Sequence, residues 1–177
     1  MKFHETSIPS VLLIDLEKLE DERGFFARIF DAEEFKKRGL FFDIVQCSAS
    51  SSEKKGTLRG MHYQKAPHEE AKVVRCTRGA IYDVALDLRQ RSPTYKKWFA
   101  TELSAKNGRM LYVPEGCAHG FQTLEDDTEV FYMMNAPYEP SAATGIRFDD
   151  PAFAIEWPPV KARIMSEKDR LYPNYSA

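Results

Sequence analysis

Two of the four histidines have neighbours that could put them to work. His62 lies in TLRGMHYQ (57–64), three residues after Arg59 and two after Gly60. His119 lies in GRMLYVPEGCAHGFQT (108–123), where Gly108, Pro114 and Gly116 precede it at fixed spacing. Neutral imidazole titrates near physiological pH, so either ring could move a proton or ligate a metal. A metal needs three or four N or O donors converging at about 2 Å. His62, His119 and Glu69 are too few and wrongly spaced for that, so no metal is expected and proton transfer is the better reading. A histidine that takes a proton from a carbon beside a carbonyl needs a carboxylate to fix its tautomer. Inverting a stereocentre also needs an acid on the opposite face, and the enolate oxygen needs a cation or donor.

Most of the chain alternates at period two between short turns. VLLIDL, FFDIVQ, KGTLRGMHYQ, AKVVRCTRGAIYDVALDL, KKWFATELS, RMLYVP, HGFQTL, TEVFYMMN and GIRFDD read as strands. Many short strands at this spacing imply an antiparallel sandwich or barrel. One helix is expected over DAEEFKKRG (31–39), with Asp31 as N-cap and Gly39 as its stop, and a second, short one near Ser166. In AIYDVALDL the even positions are apolar, and Asp83 and Asp87 share the other face with Ala85. A solvent-facing Asp87 is favoured, while Asp83 could face water or the inside of a barrel. A strict pleat puts Arg59 and His62 on opposite faces, and they converge only if the strand is bulged, for which Gly60 is the tolerant position.

With 177 residues and 43% hydrophobic composition, the chain is a single domain with a sizeable core, 1–177. A net charge of -2 gives no broad basic field, so nucleic acid is not an expected partner. Cys47, Cys76 and Cys117 are odd in number with no CxxC spacing, which suggests reduced thiols and a cytoplasmic protein. The N-terminus lacks a signal-peptide pattern, and VLLIDL is too short to span a bilayer, so no membrane role is expected.

The segment around His119 resembles the second conserved motif of the cupin superfamily, with Thr123 where Asn is usual. The aligned first motif keeps only His62, with Gln64 in place of a second histidine. In order, DERGFFARIF, LRGMHYQ, AKVVR, YDVALDLR, SPTY, ELSAKN, YVPEGCAHGFQTL, GIRFDDPAFAIEWP and SEKDR resemble the dTDP-4-dehydrorhamnose 3,5-epimerases, over about residues 8–173. The resemblance implies a mostly β, cupin-type double-stranded β-helix (jelly-roll) barrel with a few short helices. It implies epimerisation at C3 and C5 of dTDP-4-keto-6-deoxyglucose, on the way to dTDP-L-rhamnose or a related deoxysugar, with neither metal nor redox cofactor. It assigns His62 as base, Asp169 as its orienting carboxylate, Tyr132 as acid and Lys72 as the cation near the enolate. It assigns Arg23, Gln46, Arg59, His119 and Lys168 to substrate binding, with Asp83 holding His119, and it implies a homodimer with a crossing N-terminal strand.

Six positions depart from the family's usual residues: Arg28 for Glu, Cys47 and Ser48 for Asp-Asn, Met61 for Leu, Met133 for Lys and Ala143 for Glu. None is the base, its carboxylate or the acid, so the departures bear on which sugar or nucleotide is held. Taken singly, His62 reads as a half-buried strand histidine, Tyr132 as core, Lys72 and Lys168 as surface lysines and Asp169 as a solvated helix charge. The competing functions are a C3-only epimerase or ketoisomerase on another nucleotide sugar, a non-catalytic sugar-nucleotide-binding cupin, and an iron dioxygenase.

Overall fold

The computed structural model describes residues 1–176. Thirteen strands and two short helices follow one another as β1 (Lys2–Glu5), β2 (Leu12–Asp15), β3 (Leu19–Asp21), β4 (Gly24–Phe26), α1 (Ala32–Lys36), β5 (Gln46–Ser52), β6 (Leu58–Gln64), β7 (Lys72–Arg78), β8 (Ala80–Asp87), β9 (Trp98–Ser104), β10 (Met110–Val113), β11 (Cys117–Thr123), β12 (Thr128–Met134), β13 (Ala143–Gly145) and α2 (Glu167–Arg170). They form a six-stranded sheet, β1-β2-β10-β7-β12-β5, facing a five-stranded sheet, β13-β6-β11-β8-β9, with β3 and β4 as a separate hairpin. Every paired strand in these sheets is antiparallel, as the jelly-roll expectation requires.

The two sheets close on a core to which both contribute. Val74, Leu111, Val113 and Val130 come from the six-stranded sheet, and Ile81, Ala85, Leu103 and Phe121 from the five-stranded one. Phe35 of α1 and Phe42 cover the outer face of the larger sheet over Val73, Met110 and Met133. Asp31 caps α1 by accepting from the Glu33 and Glu34 amides, and the helix ends by Gly39, as expected.

The acids of β8 reverse one expectation. The even apolar face, with Tyr82, Val84 and Leu86, points outward beneath Ile146, Phe153 and Trp157. The odd face, with Ile81 and Ala85, is the barrel interior, so Asp83 and Asp87 are both fully buried. Asp87 therefore does not face water. Its carboxylate accepts from the Arg89 amide and guanidinium and from the hydroxyls of Ser92 and Thr94. Burial pushes its pKa up, but these donors outweigh burial and hold it down at about 2. A depressed folded pKa stabilises the fold above the unfolded value near 4, and that stability is lost as pH falls from about 4 toward 2. Asp87→Asn is expected to cost about 2–3 kcal/mol at pH 7 and to flatten the acid limb of the stability profile between those pH values. Urea melts at pH 7 and pH 3 check this; an unchanged midpoint at pH 7 would contradict it.

Two strand assignments also shift. FFDIVQ is loop up to Val45, and the strand is Gln46–Ser52, QCSASSS, on the sheet edge. GIRFDD contributes only the end of the short strand β13.

Candidate active site

One end of the barrel opens into a cleft of about 860 Å³ between the two sheets. Arg59 and His62 of β6, Lys72 of β7, His119 of β11, Tyr132 of β12, Gln46 of β5, and Lys168 and Asp169 of α2 all line it. The two histidine strands come from the five-stranded sheet, and Tyr132, Lys72 and Gln46 from the six-stranded one.

A bulge brings Arg59 and His62 together. His119 pairs with His62 and Phe121 with Arg59, so Gly60 and Met61 of β6 together oppose the single residue Gly120. The extra residue cancels the parity that would part the two side chains. Gly60 has φ +139, and a Cβ there would lie 2.5 Å from the Gly120 Cα, so only glycine fits. Its amide points at Asp169 Oδ2, 3.3 Å away. Gly60→Ala is expected to destabilise the fold by about 2–3 kcal/mol and to depress turnover in the molecules that remain folded. A parent-like urea midpoint would contradict it.

The His62 ring is half-exposed to the cleft, while the Asp169 carboxylate behind it is buried. His62 Nε2 donates to Asp169 Oδ1 at 2.8 Å, which leaves Nδ1 as the basic nitrogen. Burial raises the Asp169 pKa, yet the hydrogen bond and charge of His62, the Gly60 amide and Ser166 bring it below the ordinary carboxylate value. Asp169 therefore stays ionised and fixes the tautomer. Ser166 positions it as the N-cap of α2, its hydroxyl accepting from the Asp169 amide.

Tyr132 enters from the opposite sheet. Its hydroxyl shares a 3.1 Å hydrogen bond with Ser50 Oγ, and its ring stands edge-on to His119. Burial, reinforced by the nearby Asp83, pushes its phenol well above the usual tyrosine value. The phenol is thus held neutral. His119 is buried and its Nε2 lies 2.7 Å from Asp83 Oδ1, which explains the inward aspartate. Lys72, also buried, pairs with Glu70 Oε1 at 2.8 Å at the cleft wall. Arg59 reaches across to β5, its guanidinium donating to the Ser51 carbonyl at 3.0 Å. Gln64, where a second metal-binding histidine would stand, holds the loop that carries Tyr138, donating to Pro137 O and accepting from the Glu139 amide. Gln46 accepts from the Tyr138 amide itself. Among the described residues, no three His, Cys, Asp or Glu side chains are grouped as metal ligands would be.

Arg23 is the one assigned residue the cleft of its own chain does not include. It sits at the tip of the β3–β4 hairpin, paired with Asp21 and exposed. Sequence reasoning passed over Glu70, Ser50 and Tyr138. Glu70 was detectable as the cleft-side neighbour of Lys72 two residues away, whereas the Tyr138 loop carries no pattern. Glu69, weighed as a ligand, does not line the cleft. The departures from the family sort by place. Ser48 and Ala143 line the cleft, Met61 and Met133 lie in the two outer clusters, Cys47 is exposed outside it, and Arg28 pairs with the α1 cap Asp31.

A jelly-roll cleft holding a carboxylate-oriented histidine, an opposed neutral phenol and a buried lysine defines a cupin-type acid–base enzyme. The family model for dTDP-4-dehydrorhamnose 3,5-epimerase matches residues 5–177. A curated dTDP-4-dehydrorhamnose 3,5-epimerase from Sinorhizobium fredii is 45% identical over 174 residues, 98% of this chain and 89% of the relative. The Bacillus anthracis dTDP-4-dehydrorhamnose 3,5-epimerase structure with TDP and PPi bound superposes with a TM-score of 0.94 at 40% identity, covering 98% of this chain and 99% of that one. The Legionella pneumophila 3,5-epimerase in complex with dTDP-4-keto-L-rhamnose gives 0.90 at 34% identity, with 99% of each chain covered. The chain belongs to the dTDP-4-dehydrorhamnose 3,5-epimerase family.

Proposed function

We propose that the protein epimerises dTDP-4-keto-6-deoxyglucose at C3 and C5, in dTDP-L-rhamnose or related deoxysugar biosynthesis. The observation that carries this is the pairing, in one cleft, of the His62–Asp169 dyad from one side with the protonated Tyr132 from the other. The 4-keto group acidifies the hydrogens on C3 and C5. Nδ1 of His62 takes one as a proton, and the electron pair left behind delocalises onto the ketone oxygen as an enolate. Lys72 stabilises that charge, and Tyr132 returns a proton to the opposite face of the carbon. His62, now charged, passes its proton to solvent and Tyr132 regains one. The cycle then repeats at the second carbon. Proton transfer beside a ketone changes no oxidation state, so the reaction calls for no redox cofactor.

Arg59 and Lys168 at the cleft mouth supply charge for the diphosphate, since Arg–phosphate pairs are strong and directional. Arg23 fits this role only from a second copy. The hairpin that carries it exposes Leu19, Phe25 and Phe26, which supports a homodimer in which each hairpin reaches its neighbour's cleft. The three unpaired cysteines and the lack, among the described residues, of any helix long and apolar enough to cross a membrane are consistent with a cytoplasmic enzyme.

The test is turnover of dTDP-4-keto-6-deoxyglucose in D₂O, followed by proton NMR. Deuterium entering at both carbons supports the reading. Entry at C3 alone makes the protein a narrower epimerase, with Ser48 and Ala143 the first residues to examine. No entry at either carbon removes this substrate.

A further inference from the structure

The antiparallel pairing of β13 with β6 sets Gly145 directly opposite His62. Directly opposed residues in such a pair present their side chains on the same face, with Cβ atoms about 4.5–5.5 Å apart. A side chain at 145 would therefore be the natural neighbour of the imidazole, and there is none. The space is taken by Tyr172. A Cβ built on Gly145 would fall 2.3 Å from Cε2 of that ring and 2.5 Å from its Cζ. The Tyr172 ring in turn stands at 69° to the His62 ring, with centroids 6.0 Å apart.

Tyr172 follows the Leu171 C-cap of α2, three residues after Asp169. One short segment thus delivers both the carboxylate at Nε2 and the aromatic wall beside the ring. These two contacts do different work. The hydrogen bond to Asp169 fixes one nitrogen but leaves the ring free to turn about the Nε2···Oδ1 line. A flat group against its flank removes that freedom. We propose that Tyr172 is a positioning residue for the reaction, its ring replacing the missing cross-strand side chain at Gly145 and holding the plane of His62 so that Nδ1 faces the substrate carbon. This rests on His62 being the base of the reaction proposed above.

Misplacing a catalytic group by about 1 Å costs on the order of 10²-fold in rate. Tyr172→Ala is therefore expected to lower kcat about 10- to 100-fold with KM within about threefold, and Tyr172→Phe to restore it to within about twofold. Deuterium exchange at C3 and C5 in D₂O is the rate to follow. An unchanged kcat in Tyr172→Ala overturns the proposal. So does a rise in KM alone, which would make the ring a wall for substrate. A Tyr172→Phe variant as slow as Tyr172→Ala also overturns it, since the hydroxyl rather than the ring would then be the active feature. If the alanine variant does not fold, Tyr172→Leu, which keeps the notch over Gly145 filled but loses the flat ring, is expected to lower kcat in the same sense. A second readout needs no substrate. The His62 Cε1–H resonance is expected to be sharp and single in the parent and in Tyr172→Phe, and broadened in Tyr172→Ala. If the parent turns over nothing but this pattern holds, the activity assignment has failed and the positioning has not. If the resonance is indifferent to Tyr172, the positioning has failed regardless of substrate.

Discussion

His62→Ala is expected to abolish deuterium entry at both C3 and C5, a loss of about 10³–10⁴-fold. Asp169→Asn, which keeps the shape of the side chain and removes its charge, is expected to lose about 10²–10³-fold. Its amide can present an N–H where the carboxylate accepted one, and so favours the wrong tautomer of His62. The two residues act as one unit through the 2.8 Å hydrogen bond at Nε2. The double variant is therefore expected to be no slower than His62→Ala alone, because groups that work through each other are not additive. Additive losses would show Asp169 acting directly on substrate. Full exchange in His62→Ala would remove the base assignment and require another group in the cleft to take the proton.

Tyr132→Phe is expected to separate two events that the parent enzyme performs together. His62 lies on the side of the cleft opposite the phenol, so proton removal does not need Tyr132. Without the hydroxyl, the enolate is reprotonated from the face it was opened on, by His62 or by water reaching it there. Deuterium should still enter, with retention, while formation of the inverted sugar falls about 10²–10⁴-fold. Removing the hydroxyl leaves only Ser50 Oγ without its partner, so little stability is at stake. Equal losses of exchange and inversion would instead place Tyr132 in stabilising the enolate.

Much of the barrel was legible in the sequence, because period-two alternation marks strands that bury one face. It failed where that premise fails. β5 reads QCSASSS because it lies on the sheet edge with little apolar surface to hide, and the apolar FFDIV before it is loop. β8 misled in a different way. Both of its faces are covered, so apolar residues do not mark the inside, and the outward reading of Asp87 rests on a rule that holds only for half-buried strands, while Asp83 stays open between the two faces. The bulge at Gly60 was legible as a conflict: two polar side chains of opposite parity, with a glycine between, can share a site only if one residue is extra. The meeting of His62 with Asp169 was not. The two residues are 107 positions apart, nothing between them links a strand to a terminal helix, and only the resemblance of SEKDR to a known motif points there.

The carboxylate that arms the base rides on α2, a four-residue helix held to the barrel through β6. The sheets that carry the other site residues are knit by ladders of backbone hydrogen bonds across the whole fold. Opening so short an element costs far less than unfolding the barrel, so α2 is expected to part from His62 in molecules whose barrel stays folded. Lys168, on the same helix, faces the cleft mouth where the diphosphate would sit. A diphosphate paired with Lys168 would bind only molecules in which α2 is docked, and by mass action would favour the arrangement that keeps Asp169 against His62.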